Sequence, residues 1–286
     1  MASKPEHHKT QRSNASQFFS GLARAFGGAI LFSFPIMMTM EMWFLGFHMS
    51  GLRLALLTLL TIPLLIGLSY YDGFENTSSV LDNTVDTFVA YAVGFVTSAV
   101  LLFLFGVIKP GMTADEIIGK ISIQAIIGSF GAMFAQSLLT GGGDSSEESE
   151  DRQRSASYFG EIFLMAVGAV FLSMSVAPTE EMILISYQMS EWHTLALIIF
   201  TLLLTHAFVY AVEYRGQEKI ISPDASFLNL FLRFTVVGYA IALLISFYIL
   251  WTFGSIDDVE FGGKLKAAIV LSFPAAIGAA ASRLIL

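Results

Sequence analysis

Two stretches, GAILFSFPIMMTMEMWFLGFHMS (Gly28–Ser50) and GAVFLSMSVAPTEEMILISYQMS (Gly168–Ser190), decide how this chain is read. Laid over each other without gaps, they agree at eight of 23 positions: Gly28/Gly168, Ala29/Ala169, Ser33/Ser173, Thr39/Thr179, Glu41/Glu181, Met42/Met182, Met49/Met189 and Ser50/Ser190. Apolar composition readily matches leucine with isoleucine, but it does not supply an aligned Thr-x-Glu-Met. The pairing implies an internal repeat. Weaker echoes follow in the same order, with Asp72 opposite Glu213, Gly94 opposite Gly238, and Gly131-Ala132 opposite Gly278-Ala279.

Around these stretches the chain is built for lipid. Hydrophobic residues make up 55% of the 286 and charged residues 13%, and mean hydropathy is +0.70, whereas a soluble domain carries about 25% charged residues. Apolar runs near 25–47, 51–70, 87–108, 117–139, 159–188, 192–212, 228–253 and 265–286 are each long enough for a bilayer core, which takes about 20 helical residues. The expected fold is therefore an all-α membrane protein with eight transmembrane helices, arranged as two parallel four-helix repeats. Residues 1–16 read as a polar cytoplasmic tail before an uncleaved first span, 17–139 as the first repeat and 158–286 as the second. Between them, 140–157 is a flexible linker whose glycine, serine and acid cannot bury a core. Glu161 suggests that the first turns of the fifth run lie at the membrane surface.

A net charge of −8 with no basic run excludes a nucleic-acid partner. The absence of cysteine excludes disulfides, thiolate metal sites and a cysteine nucleophile. Four spans per copy set both copies in the same direction, about an axis along the membrane normal, with Glu41 and Glu181 at one depth. With the N-terminus inside, ten Lys and Arg lie on or near the cytoplasmic side and five outside. This favours cytoplasmic termini, in a bacterial inner membrane. Trp43, Trp192 and Trp251 then fall at the outer ends of their spans, where indoles favour the interface.

A carboxylate at membrane depth is costly and normally faces a bundle interior or a wet cavity. Glu41 lies about six residues, roughly 9 Å, from the outer end of its run. Glu181 repeats that placement and Glu180 adds a third carboxyl. Pro35 and Pro178 each remove a helical hydrogen bond and open a carbonyl about four residues upstream. With Thr39 and Thr179, the set is all oxygen and suits a hard cation such as Ca²⁺, Na⁺ or Mg²⁺. The bland alternatives are a common proline kink and a glutamate that merely glues helices. His206 is a candidate proton relay, against a neutral ring bonded to a carbonyl. Asp72 and Glu213 are candidates for a cytoplasmic vestibule, against ordinary helix ends. Spans 4 and 8 carry small residues, Gly119, Gly128, Gly131 and Ala135 in one and Ala275, Gly278, Ala279 and Ser282 in the other. Such faces pack helices within a monomer or across a homo-oligomer.

The polar tail, the eight runs, and the helices bearing Thr39-Met40-Glu41-Met42 and Pro178-Thr179-Glu180-Glu181-Met182 resemble a family of bacterial integral membrane proteins to which no activity is attached. That resemblance implies fold and location only. Pro178-Thr179-Glu180-Glu181 followed by His206 also resembles, in part, the intramembrane CAAX-protease and bacteriocin-processing family, which implies glutamates and histidines lining a catalytic cavity. Ile185 stands where that motif expects Arg, Leu202 where it expects Phe, and no second intramembrane histidine follows. The residues favour a cation- or proton-coupled transporter or channel. An enzyme of that glutamate–histidine type comes second, and a structural or signalling subunit third.

Overall fold

The computed structural model describes residues 6–72, 80–139, 158–214 and 231–285; the linker expected at 140–157 lies outside the described residues. The first half contains α1 (Glu6–Met37), α2 (Met40–His48), α3 (Gly51–Asp72), α4 (Val80–Leu104) and α5 (Ala114–Leu139). The second contains α6 (Tyr158–Val176), α7 (Glu180–Gln188), α8 (Glu191–Tyr214), α9 (Val237–Phe253, entered through a π-helical turn, Phe231–Val236) and α10 (Phe261–Ile285). Eight of these helices are long and apolar enough to cross a membrane.

Two features depart from the sequence expectation. The helix of the first span runs Glu6–Met37 and stops there instead of continuing to 47. The glutamates consequently lie on separate nine-residue helices, α2 and α7, and not inside the first helix of each half. The halves carry the same order of elements: a long helix, a break, a nine-residue helix, then three spans.

In each half the last helix is central. Helix α5 packs against α1, α2, α3 and α4, and α10 against α6, α7, α8 and α9. The small residues make this possible. A Cβ on Gly28 would collide with the Gly131 carbonyl oxygen and the Ala135 side chain. One on Gly168 would collide with the Gly278 carbonyl oxygen and Ser282. Gly94 lies against Ala125–Ser129, and Gly46 against Gly119 and Lys120. Lipid gives helices no hydrophobic reason to associate, so close backbone approach must supply the attraction through dispersion. These small-residue faces pack against helices of the same chain.

The halves meet through α3, α5, α6 and α9. Phe171 of α6 packs edge-on against Phe134 at 5.0 Å and Phe32 at 5.6 Å, and Phe163 covers Gly67 and stacks on Tyr71.

Gly28→Val and Gly168→Val should each destabilise the protein by about 1–3 kcal/mol or more, the cost of overpacking against unyielding backbone. Gly262→Ala, whose Cβ would meet nothing within 4 Å, should be nearly neutral. Thermal unfolding in detergent measures all three.

Candidate functional site

Both breaks turn on an extended threonine, with a proline four residues before it in the first half and immediately before it in the second. Proline has no N–H, so Pro35 leaves the Leu31 carbonyl without its helical donor. Thr39 is then extended (φ −89°, ψ 131°), and its N–H turns to the Ile36 carbonyl at 3.0 Å, so the Pro35 carbonyl loses its helical donor too. The Thr39 hydroxyl also donates to Ile36, at 2.7 Å, and Trp43 Nε1 caps the Met37 carbonyl at 2.6 Å. In the second half Thr179 (φ −74°, ψ 134°) turns its N–H and hydroxyl to Val176, at 3.1 and 2.9 Å. Pro178 thereby frees the Met174 carbonyl, and the turn at Thr179 frees that of Ser175. Each short helix ends at an extended methionine, Met49 or Met189.

Contacts on either side set the height of each break. Gly28 meets Gly131 and Gly46 meets Gly119–Lys120, so α1 and α2 run antiparallel to α5, with the break alongside the stretch that carries Gln124. Gly168 meets Gly278, and Lys266 Nζ donates to the Met189 carbonyl at 3.2 Å. The second break therefore lies alongside the stretch of α10 that carries Ser272. Neither break is at a helix end of the bundle.

Glu41, Glu180 and Glu181 occupy the first turns of α2 and α7, where the positive end of a helix dipole favours a carboxylate. Glu41 is half-buried and the other two are exposed. Among the described residues, none of the three has a hydrogen bond or ion pair to another protein group. Each carboxylate is carried by its own half, α2 packing on α5 and α7 on α10. No group of three or more His, Asp or Glu gathers among the described residues, so any cation here would rely on carbonyl and hydroxyl oxygens.

His206 is buried in α8, with Nδ1 2.8 Å from the Thr235 hydroxyl and its ring edge-on to Phe231. The π-helical turn holds both partners, and beside them Thr205, Thr235, Tyr239 and Met165 line a cavity of about 20 Å³, room for about one water. Asp72 closes α3 and Glu213 lies in the last turn of α8; their side chains are outside the described set. Sequence reasoning missed two buried acids at the opposite end of the bundle from the short helices. Asp86, in the second turn of α4, accepts a hydrogen bond from Ser69 at 3.3 Å, and Glu161, read as a surface residue, is 5% exposed. The sign was present: α4 begins at Val80, so Asp86 falls on the buried face with Asn83 and Ala90.

At the end that bears the short helices, Arg53 forms a two-pronged ion pair with Asp257 (2.7 and 3.0 Å) and covers the Trp251 ring at 4.9 Å. This clamp joins α3 of the first half to the α9–α10 loop of the second. Lys266 pairs with Glu191 at 2.7 Å and Lys120 with Glu116 at 2.8 Å. Trp192 and Trp251 are exposed at this end as an interfacial belt requires, but Trp43 turns inward to the break.

A bundle of eight membrane-capable helices, with carboxylates and broken helices among them, defines a polytopic α-helical integral membrane protein. The family model described as "Putative integral membrane protein (DUF2391)" matches residues 21–286, and the chain belongs to that family. No curated protein and no solved structure matches it.

The Arg53 guanidinium, by hydrogen bond and charge, holds the Asp257 carboxyl below its ordinary range. A depressed carboxylate pKa contributes stability that is complete above the unfolded value and is lost as pH falls through the folded one. The difference in melting temperature between wild type and Asp257→Asn should therefore be largest at neutral pH and vanish in acid below the ordinary Asp pKa. A pH series of melts checks this, and high salt should shrink the difference.

Proposed function

We propose that this protein is a cation- or proton-coupled transporter or channel of the bacterial cytoplasmic membrane, with both termini on the cytoplasmic side. In this reading the chain is two copies of one unit in parallel, and Glu41 and Glu181, at one depth, carry the ion. The observation behind it is the pair of broken helices. Interrupted helices at membrane depth put unsatisfied carbonyls and helix ends where transporters bind ions. Each break here supplies two carbonyls without helical donors, a threonine hydroxyl and a carboxylate free of protein partners. A glutamate acting only as packing glue would be spent on a hydrogen bond to a neighbouring helix; these are not. His206 of α8, hydrogen-bonded to Thr235 beside a small cavity, is the proposed proton relay, and Asp72 and Glu213 belong to the cytoplasmic approach.

The enzyme alternative needs Glu180, Glu181 and His206 to converge. Glu180 and Glu181 are exposed on α7, whereas His206 is buried against Thr235, which favours transport.

Purified protein in liposomes should pass monovalent cations or protons down an imposed gradient. Glu41→Gln and Glu181→Gln should each cut that flux by about tenfold or more, the consequence of losing a charged ligand worth about 1.5–3 kcal/mol. Unaltered flux in both would sink the proposal. Loss in Glu180→Gln and His206→Ala with Glu41→Gln unaffected would favour the enzyme-like arrangement.

A further inference from the structure

The two halves share their architecture but differ in one respect that their order of elements does not foretell. In the first half, Thr97 and Ser98 of α4 and Gln124 of α5 are 4%, 0% and 1% exposed. Neither hydroxyl, nor the oxygen or nitrogen of the amide, has a hydrogen-bond partner in the protein. A polar atom left this way carries an uncompensated desolvation cost, which a bound ligand would offset.

Helix geometry places these groups together. Gly94 of α4 lies against Gly128 of α5. Ser98 is one turn beyond Gly94 and Gln124 one turn before Gly128, so in an antiparallel pair both are displaced the same way from that contact. Gln124 also lies seven residues, two turns, from Gly131, on the face of α5 that meets Gly28. Two turns along α1 from Gly28 is Pro35. Gln124 therefore lies at the height of the first helix break, where the carbonyls of Leu31 and Pro35 lack helical donors.

We propose that Gln124 and Ser98, flanked by Thr97 and joined by the carbonyls of the Pro35 break, bind a dehydrated monovalent cation, sodium in class, in the first half alone. The sign of the charge follows from the surroundings. The break offers two carbonyl oxygens without helical donors, Glu41 follows two residues after Thr39, and the nearest described cation on α5, Lys120, is paired with Glu116. The valence follows from the charge count. One carboxylate among neutral oxygens suits a single positive charge, whereas calcium sites gather several carboxylates. The restriction to one half follows from the residues opposite. By the Gly94/Gly238 and Gly131/Gly278 correspondences, Ala242 replaces Ser98 and Leu271 replaces Gln124, both 0% exposed. The neighbouring hydroxyls there are satisfied, Ser246 by the Ala242 carbonyl and Ser272 by Ile269 and Tyr239.

This site rests on the proposed transport reading for its purpose but not for its detection. Thermal unfolding of the purified full chain, in sodium chloride against choline chloride at equal ionic strength, reads it. The wild-type midpoint should rise by several degrees with the logarithm of sodium concentration, as linkage requires. Gln124→Leu, which installs the second half's residue, and Ser98→Ala should abolish the rise while keeping helical content. Ser246→Ala should preserve it. No rise in wild type overturns the site, as does a rise that survives both first-half substitutions, which would mark the amide as a holder of trapped water. Stabilisation by calcium in place of sodium overturns its valence and with it the proposal. Sodium-dependent stabilisation in a chain that carries no flux would leave the site standing and remove the transport reading.

Discussion

Contact of backbone on backbone at Gly28–Gly131, and again at Gly168–Gly278, is the constraint from which the rest of the structure follows. In lipid no solvent term pulls helices together, so the first and last spans of each half must earn their association at contact distance. With no side chain in the way, each carbonyl occupies the space a Cβ would need. That makes α5 and α10 the axes of their halves, with 83% and 61% of their spans buried. It also fixes the height of each broken helix along its axis: a glycine contact below, then Gly46 or the Met189–Lys266 bond above, hold the break between two pinned points.

A break held in this way has an electrostatic consequence. Helix α1 ends with its carbonyls toward the gap, and α2 begins with its N–H groups there, so opposite partial charges face each other within a few residues. Several of the freed groups are quieted locally. Thr39 turns back to Ile36 and Trp43 reaches across to Met37. What remains is the pair of carbonyls that proline and the extended threonine leave without donors, and a glutamate whose charge is supported by the new N-terminus. Polarity at membrane depth is thus generated by the backbone as much as by side chains.

The eight spans were legible because runs of apolar residues have few other uses, and the paired placement of Glu41 and Glu181 was legible because Thr-x-Glu-Met does not recur by composition. The break itself was also written in the sequence, though it reads at first as a kink. A proline just past a helix end stops it, and a threonine followed by acids starts the next; Pro178-Thr179-Glu180-Glu181 carries both signals in succession. Apolar residues on both sides hide it, since hydropathy alone continues straight through. The buried acids Asp86 and Glu161 were not legible for a different reason. A charge near the end of an apolar run reads as interface, and only the packing of α4 and α6 shows that these positions turn inward. Trp43 failed in the same way, because its span end belongs to a short helix that lies along α5.

The two halves share one order of elements but differ in the arrangement of their polar groups. In the second half several buried polar groups are paired: His206 with Thr235, Ser272 with Tyr239, Ser246 with its own helix. Closed pairs fix helices relative to one another, and the π-helical turn at Phe231–Val236 is held against His206 by one of them. The first half keeps Thr97, Ser98 and Gln124 unpaired beside its break, at a standing cost that leucine or alanine would remove, as Leu271 and Ala242 do opposite. A frame built twice on the same glycine contacts does not need that cost for stability. That cost is intelligible if those three groups have a ligand to hold, as the cation site proposed for them requires.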